Sequence, residues 1–470
     1  MHNRFSTFRE NISETLSNNK VTTAIIAFLY VLPLFTTAET SPFRSLLSII
    51  TQVLIFGILA MSFDLQLGRT GLLNFGQAAL FGVGAYAFVF TMMDPSILSF
   101  FTIRFISIGS IIFPLPLDLV VYFLVILIAV AVGILLGIIM GLTTNRLRGT
   151  GFAFIALAMA MVLYNYFSGN PDISGGETGL RIQTPEPLRT DGFYLLFVLL
   201  SIITIIIFLA MVLVYLKERR IKPAFQFTDS ETTFGTSRTS IIALSIFLVT
   251  VIAALVVVWI AFGNNITGLV ETTDAYFRTI PTQYYLVLTC ALLIYLFVKR
   301  LVSSPFGRMM AAVAQNEERA EALGYNVYLC KIMAVGISGG IAALSGALYS
   351  QYIRVIDPVT TLGVNISINA MLYDIVGGIG TLLGPFVGTG IVIYSELRLV
   401  DVFGDWWIIV LGIIYIVIVL FFPQGIVGSI QLRSRSIKAK LRQFKINESD
   451  YWLFTLLGFI ILILILLILI

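Results

Sequence analysis

Residues 316–331 read NEERAEALGYNVYLCK, from Asn316 to Lys331. The stretch is charged and helix-prone, and it lies between two runs, 283–298 and 332–352, that are almost pure hydrocarbon. A polar island of this kind belongs in water, because charged groups inside a bilayer are expensive. The apolar runs on either side therefore read as membrane spans, and the island as a water-exposed segment placed to meet a partner.

Composition extends that reading to the whole chain. Of 470 residues, 58% are apolar and 11% charged, far below the roughly 25% charged content of a soluble protein. The fold class is all-α, a polytopic bundle of about 11–13 spans. The sequence has two cysteines and one histidine. Cys290 falls in an apolar span and Cys330 at the edge of the charged segment, which argues against a disulfide framework or a Cys-ligated metal. With His2 alone near the terminus, the commonest general base and metal ligand is missing, so no catalytic or metal-binding residues are expected. No basic patch with interleaved aromatics suggests nucleic acid.

A span needs about 20 apolar residues to cross roughly 30 Å of hydrocarbon. That rule marks helices near 21–38, 44–63, 71–93, 117–142, 150–168, 192–216, 240–263, 283–298, 332–352, 363–378, 382–397, 406–423 and 451–470. The pair at 363–397 is too long for one span and is interrupted by Gly377-Gly378-Ile379-Gly380-Thr381-Leu382-Leu383-Gly384-Pro385, so it reads as a broken or re-entrant helix pair. With the N-terminus inside and this pair crossing twice, most of the 29 basic residues face the cytoplasm, as membrane topology favours. Residues 1–20 read as a cytoplasmic segment before an uncleaved first helix, 21–430 as the membrane domain, 431–450 as a basic cytoplasmic linker, and 451–470 as an extra, lipid-facing C-terminal helix.

The segment before the island begins a helix, with serine for the cap and Pro305 at the first helical position. Met309, Ala312, Val313, Ala320 and Leu323 recur on one side of it, while Arg308, Gln315, Glu318, Arg319 and Glu321 stay polar. Gly324 can end it in a left-handed conformation. Periodicity alone is equally satisfied by an ordinary solvated surface helix.

Six blocks carry a family resemblance: GLLNFGQAALFGVGAYAF at 71–88, RLRG at 146–149, SGGETGLRI at 174–182, AVAQNEERAEALGYNVYLCKIMAVGISGGIAALSGALYS at 312–350, GGIGTLLGPFVGTGIVI at 377–393 and FFPQGIVG at 421–428. In this order, over roughly residues 44–430, they resemble the permease subunits of branched-chain amino acid ABC importers. The resemblance implies that Asn316, Glu317, Arg319, Ala320, Glu321, Ala322, Leu323 and Gly324 dock on an ATPase subunit. The chain has no Walker A sequence, since no lysine follows a glycine; ATP and Mg²⁺ would be bound by partner subunits and no cofactor by this chain. The implied assembly has two ATPase subunits, a second permease, homologous or identical, and an extracytoplasmic binding protein, in a prokaryotic cytoplasmic membrane.

Asn74, Gly76, Gln77, Gly82 and Gly84 put polar amides and small residues in one apolar segment, and Gly377, Gly378, Gly380 and Gly384 interrupt another. The residues by themselves favour helix packing with interhelical hydrogen bonds over interrupted helices lining a translocation path, whereas the resemblance implies the path for the 71–90 segment. Gly133, Gly137 and Gly141 form a small-xxx-small packing face. Asp374 and Glu396 are the acids nearest the membrane interior, expected near helix ends where hydration or basic neighbours offset their charge. Two helices and a basic loop, Lys217 to Lys222, depart from the family between about 183 and 275 and read as an insertion touching anionic headgroups. The rival functions are an ion-coupled secondary transporter, a urea or amide ABC permease, and a membrane scaffold that no longer transports.

Overall fold

A computed structural model describes Leu29 and residues 43–93, 106–108, 111–113, 117–144, 150–182 and 275–429. The expected spans at 21–38, 192–216, 240–263 and 451–470, the insertion, RLRG and the basic linker lie outside the described residues, save Leu29. Helices dominate: α1 (Phe43–Thr70), α2 (Gln77–Met93), α3 (Leu117–Thr144), α4 (Thr150–Gly169), the short α5 (Pro171–Ser174), α6 (Ala275–Ser303), α7 (Pro305–Gln315), α8 (Glu317–Ala322), α9 (Val327–Ile353), the short α10 (Pro358–Leu362), α11 (Val364–Gly377), α12 (Gly384–Phe403) and α13 (Trp407–Phe421). Two small antiparallel pairs interrupt them: β1 (Ile106–Ile108) with β2 (Ile111–Phe113), and β3 (Leu180–Arg181) with β4 (Val355–Ile356).

Six stretches among the described residues are long and apolar enough to cross a membrane: 46–70, 121–144, 151–169, 283–303, 327–353 and 407–429. The chain is therefore a multi-pass, all-α membrane protein. At its centre stands α9, packed against α3, α2 and α1. The sequence of α9 allows this, because Gly336, Gly339, Gly340, Gly346 and the alanines between them let backbones approach closely. The small face of α3 is its counterpart: a Cβ built on Gly133 would lie 2.7 Å from the Gly339 carbonyl oxygen, and one on Gly137 2.7 Å from that of Val335. α1 occupies the other side of the core and touches α6, α11 and α12. By contrast α13 buries no residue; Ile408, Ile409, Ile413, Ile416 and Leu420 are exposed, while Ile418 packs against the core.

Several boundaries differ from the sequence reading. α1 runs to Thr70, seven residues past the expected end, because it buries polar side chains that a hydropathy rule excludes. The 71–93 segment is helical only from Gln77. The 363–397 region forms two helices, α11 and α12, packed on each other across the break at 378–383. α11 has 14 residues, about 21 Å at 1.5 Å each, too short to span the hydrocarbon alone. The helix expected through the charged island is two helices, α7 and α8, because Asn316 is extended (φ −164°) and caps the second.

Candidate coupling site and polar core

The island is built from capping interactions. The Ser304 hydroxyl accepts a hydrogen bond from the Gly307 amide at 3.2 Å, starting α7 with Pro305 at its first position. Asn316 Oδ1 accepts from the Arg319 amide at 3.0 Å, starting α8, and Glu317 and Glu318 lie in its first turn, where the helix dipole favours negative charge. Gly324 ends it at φ 86°, a conformation that favours glycine. Asn326 Oδ1 then accepts from the Leu329 amide at 2.9 Å and opens α9. Glu317 Oε1 pairs with Lys331 Nζ at 2.7 Å, tying α8 to the N-terminal part of α9.

Of the eight residues singled out as the ATPase contact, Asn316, Arg319, Glu321, Ala322, Leu323 and Gly324 are exposed and Glu317 is half-buried. Ala320 is 1% exposed and faces inward. Met310 and Val313 anchor α7 to the bundle. Met309, expected on that face, is only partly buried, and Leu323, also expected there, is 76% exposed. With Tyr325, Tyr328 and Leu329, also exposed, Leu323 makes an apolar ridge beside the charged residues. Helical periodicity missed this ridge because Leu323 and Tyr325 lie past the end of α8 and Tyr328 and Leu329 on the outer side of α9.

The upstream candidates fall inside the bundle. Asn74 accepts a hydrogen bond from the Gly76 amide at 2.8 Å, forming the turn before α2. The Gln77 amide donates to Ser62, Gln66 Nε2 donates to Ser338 Oγ at 2.7 Å, and Ser338 Oγ donates to the Ser62 carbonyl at 2.7 Å. These bonds join α1, α2 and α9 into one buried polar cluster. A Cβ on Gly76 would collide with Met140, one on Gly82 with Leu362, and one on Gly84 with the backbone of Ala343. The other set gathers at the α11–α12 break. Gly377 lies against the Gly384 backbone, and Gly378 and Gly380 take φ 119° and 78°. Gly425, from the terminal PQG motif, packs on Gly378.

Two acids meet beside that break. Asp374 is 0% exposed, with neither carboxylate oxygen in hydrogen-bonding reach of a donor among the described residues. The expected basic neighbour is Arg69, within electrostatic reach. Asp64, outside the expected span and missed by it, is 1% exposed. Its Oδ1 accepts from the Gly380 amide at 2.5 Å, and its Oδ2 lies 4.0 Å from Arg69 Nε. Glu396 is half-buried well inside α12.

Comparison with known proteins agrees with this architecture. A family model described as "Branched-chain amino acid transport system / permease component" matches residues 45–222 and 232–420, and the chain belongs to that family. "Probable branched-chain amino acid transport permease protein LivM" of Methanocaldococcus jannaschii is 27% identical over 174 residues, covering 34% of this chain and 50% of the relative. "Ribose import permease protein RbsC" of Bacillus subtilis is 28% identical over 171 residues, 34% of this chain and 52% of that protein. "High-affinity branched-chain amino acid transport system permease protein BraD" of Pseudomonas aeruginosa is 30% identical over 135 residues, 28% and 42% of the two chains. The alignments thus span about half the length of these relatives. No solved structure matches the chain.

Proposed function

We propose that this chain is the membrane-spanning permease subunit of an ATP-driven importer for branched-chain amino acids or a related small polar metabolite. The observation that supports this most directly is the capped two-helix rod, α7 and α8, whose outer side and apolar ridge are exposed between α6 and α9. Such a rod has the form of a lever: it can receive a rigid-body push from a soluble partner and pass it to the helices it joins. The partners would be two ATPase subunits carrying ATP and Mg²⁺, a second permease, and an extracytoplasmic binding protein that delivers substrate. ATP binding would bias the permease pair between inward- and outward-open states by binding one of them more tightly. The chain would do no chemistry on its cargo and would reside in a cytoplasmic membrane. Relatives named for ribose and for autoinducer 2 favour the broader cargo class, small polar metabolites, with selection made chiefly by the binding protein.

The test replaces the exposed Arg319, Glu321 and Leu323 together with alanine in the reconstituted complex. ATP-driven uptake should fall by about ten-fold or more while the permease stays folded in the membrane, the scale of effect expected when several interface contacts are lost. Full ATPase association with unchanged uptake would count against the reading. The buried acids Asp64 and Asp374 favour one second reading, an ion-coupled secondary transporter, since intramembrane carboxylates mark ion pathways. Uptake driven by an ion gradient in vesicles without the ATPase would select it.

A further inference from the structure

We propose that Asp64 is a positioning residue that latches the coupling rod to the broken α11–α12 hairpin, so that movement of the rod reaches the loop at 378–383. The inference rests on the ATP-driven reading above. Its first support is a single hydrogen bond between distant parts of the chain: Asp64 Oδ1, near the end of α1, accepts from the Gly380 amide at 2.5 Å. Gly380 lies in the break between two helices, where no helical carbonyl is available to its N–H, and the buried carboxylate supplies the acceptor. Hydrogen bonds to an ionised acceptor are stronger than neutral ones.

The second support is steric. Gly68 lies one helical turn beyond Asp64 on the same side of α1, and a Cβ there would intrude on both Asp64 Oδ1 and the Gly380 nitrogen. The absence of a side chain at Gly68 is what lets the loop sit against the helix. The third is continuity with the rod. α1 ends at Thr70, and a Cβ on Gly71 would lie 3.5 Å from the Cα of Ala314 in α7. From Gly71 back to Asp64 is seven residues, about 10 Å of helix, held by the Thr70 hydroxyl donating to the Gln66 carbonyl at 2.6 Å and the Leu72 amide to the same carbonyl at 3.0 Å. A tied helix end of that length transmits displacement instead of absorbing it. Beyond Gly380, Thr381 is bonded to the Gly378 carbonyl through both its amide, at 3.1 Å, and its hydroxyl, at 2.6 Å. The loop therefore follows its attachment point as a unit.

The experiment uses the reconstituted permease–ATPase complex with binding protein and measures labelled amino acid taken up per ATP hydrolysed, alongside hydrogen exchange at the Gly380 amide. Asp64→Leu removes the acceptor. It should leave ATPase association and hydrolysis near wild type, lower uptake per ATP about five- to ten-fold, within the range seen for residues that couple distant sites, and speed exchange at Gly380. Asp64→Asn keeps an acceptor oxygen and should restore most of the ratio. Should Asp64→Leu fail to assemble, Gly68→Ala decides, because it wedges the same contact without altering a polar group and should lower the same ratio. A transporting wild type whose deciding variant shows an unchanged ratio overturns the latch alone. Absence of ATP-driven uptake in the wild-type complex overturns the permease reading instead.

Discussion

At the residue scale the bundle depends on missing side chains. Gly84 shows the constraint most directly, since any Cβ there would strike the Cα and carbonyl of Ala343 in α9, and backbone cannot rotate away as a long side chain can. Gly84→Val should destabilise the protein by about 2–3 kcal/mol, the upper part of the range for overpacking a close-packed interior, measured as a lower midpoint of thermal unfolding in detergent. The polar residues beside these glycines have equally local explanations. Within the apolar interior, where an unpaired amide is costly, the Gln66 and Gln77 Nε2 groups donate to the Ser338 and Ser62 hydroxyls, and Ser338 donates to the Ser62 carbonyl, while the two glutamine Oε1 atoms have no partner among the described residues. The sequence shows that α1 and α2 carry amides, but not that they converge on one serine of α9, because the partners are 272 residues apart along the chain for Gln66 and Ser338. Asp64 was hidden for a related reason: a rule based on apolar length stops at the first acid, while the helix continues as long as its polar groups find partners across the bundle.

At the element scale, α7 and α8 are held by caps and by one ion pair from half-buried Glu317 to a buried lysine. Lys331 is 2% exposed and Glu317 holds it at 2.7 Å. Glu317→Gln would leave that ammonium buried beside a neutral amide, which should cost about 1–3 kcal/mol, below the range for a fully buried pair because the glutamate is partly solvated. Adding Lys331→Met to the same chain should recover most of the loss, since the pair is then replaced by an apolar group. Thermal unfolding of the two single variants and the double variant forms the cycle that checks this. The caps were legible in the sequence: Ser304-Pro305 and Gly324 mark the start of α7 and the end of α8. The bend at Asn316 was not, because asparagine is tolerated inside a helix and only its extended backbone, with the side chain turned to the Arg319 amide, identifies it as a cap.

At the scale of the whole molecule, orientation decides which partners can reach which surface. Leu323 is 76% exposed at the tip of the rod, so Leu323→Cys, placed in a chain whose own two cysteines are replaced, should react with a membrane-impermeant maleimide only from the cytoplasmic side. Labelling from outside would invert the topology and remove the ATPase from reach. Composition and the spacing of apolar runs were sufficient to establish by themselves that this is a helical membrane protein with several spans and a break between 363 and 397. Those features follow from the cost of charge and unpaired backbone in hydrocarbon, which acts locally along the chain. Only the tertiary structure decided that α9 is the central post, that Ala320 faces inward while Leu323 faces out, and that Asp64 meets Gly380. Such contacts join residues hundreds of positions apart, and their energy depends on shape and approach between helices, which no local property of the sequence records.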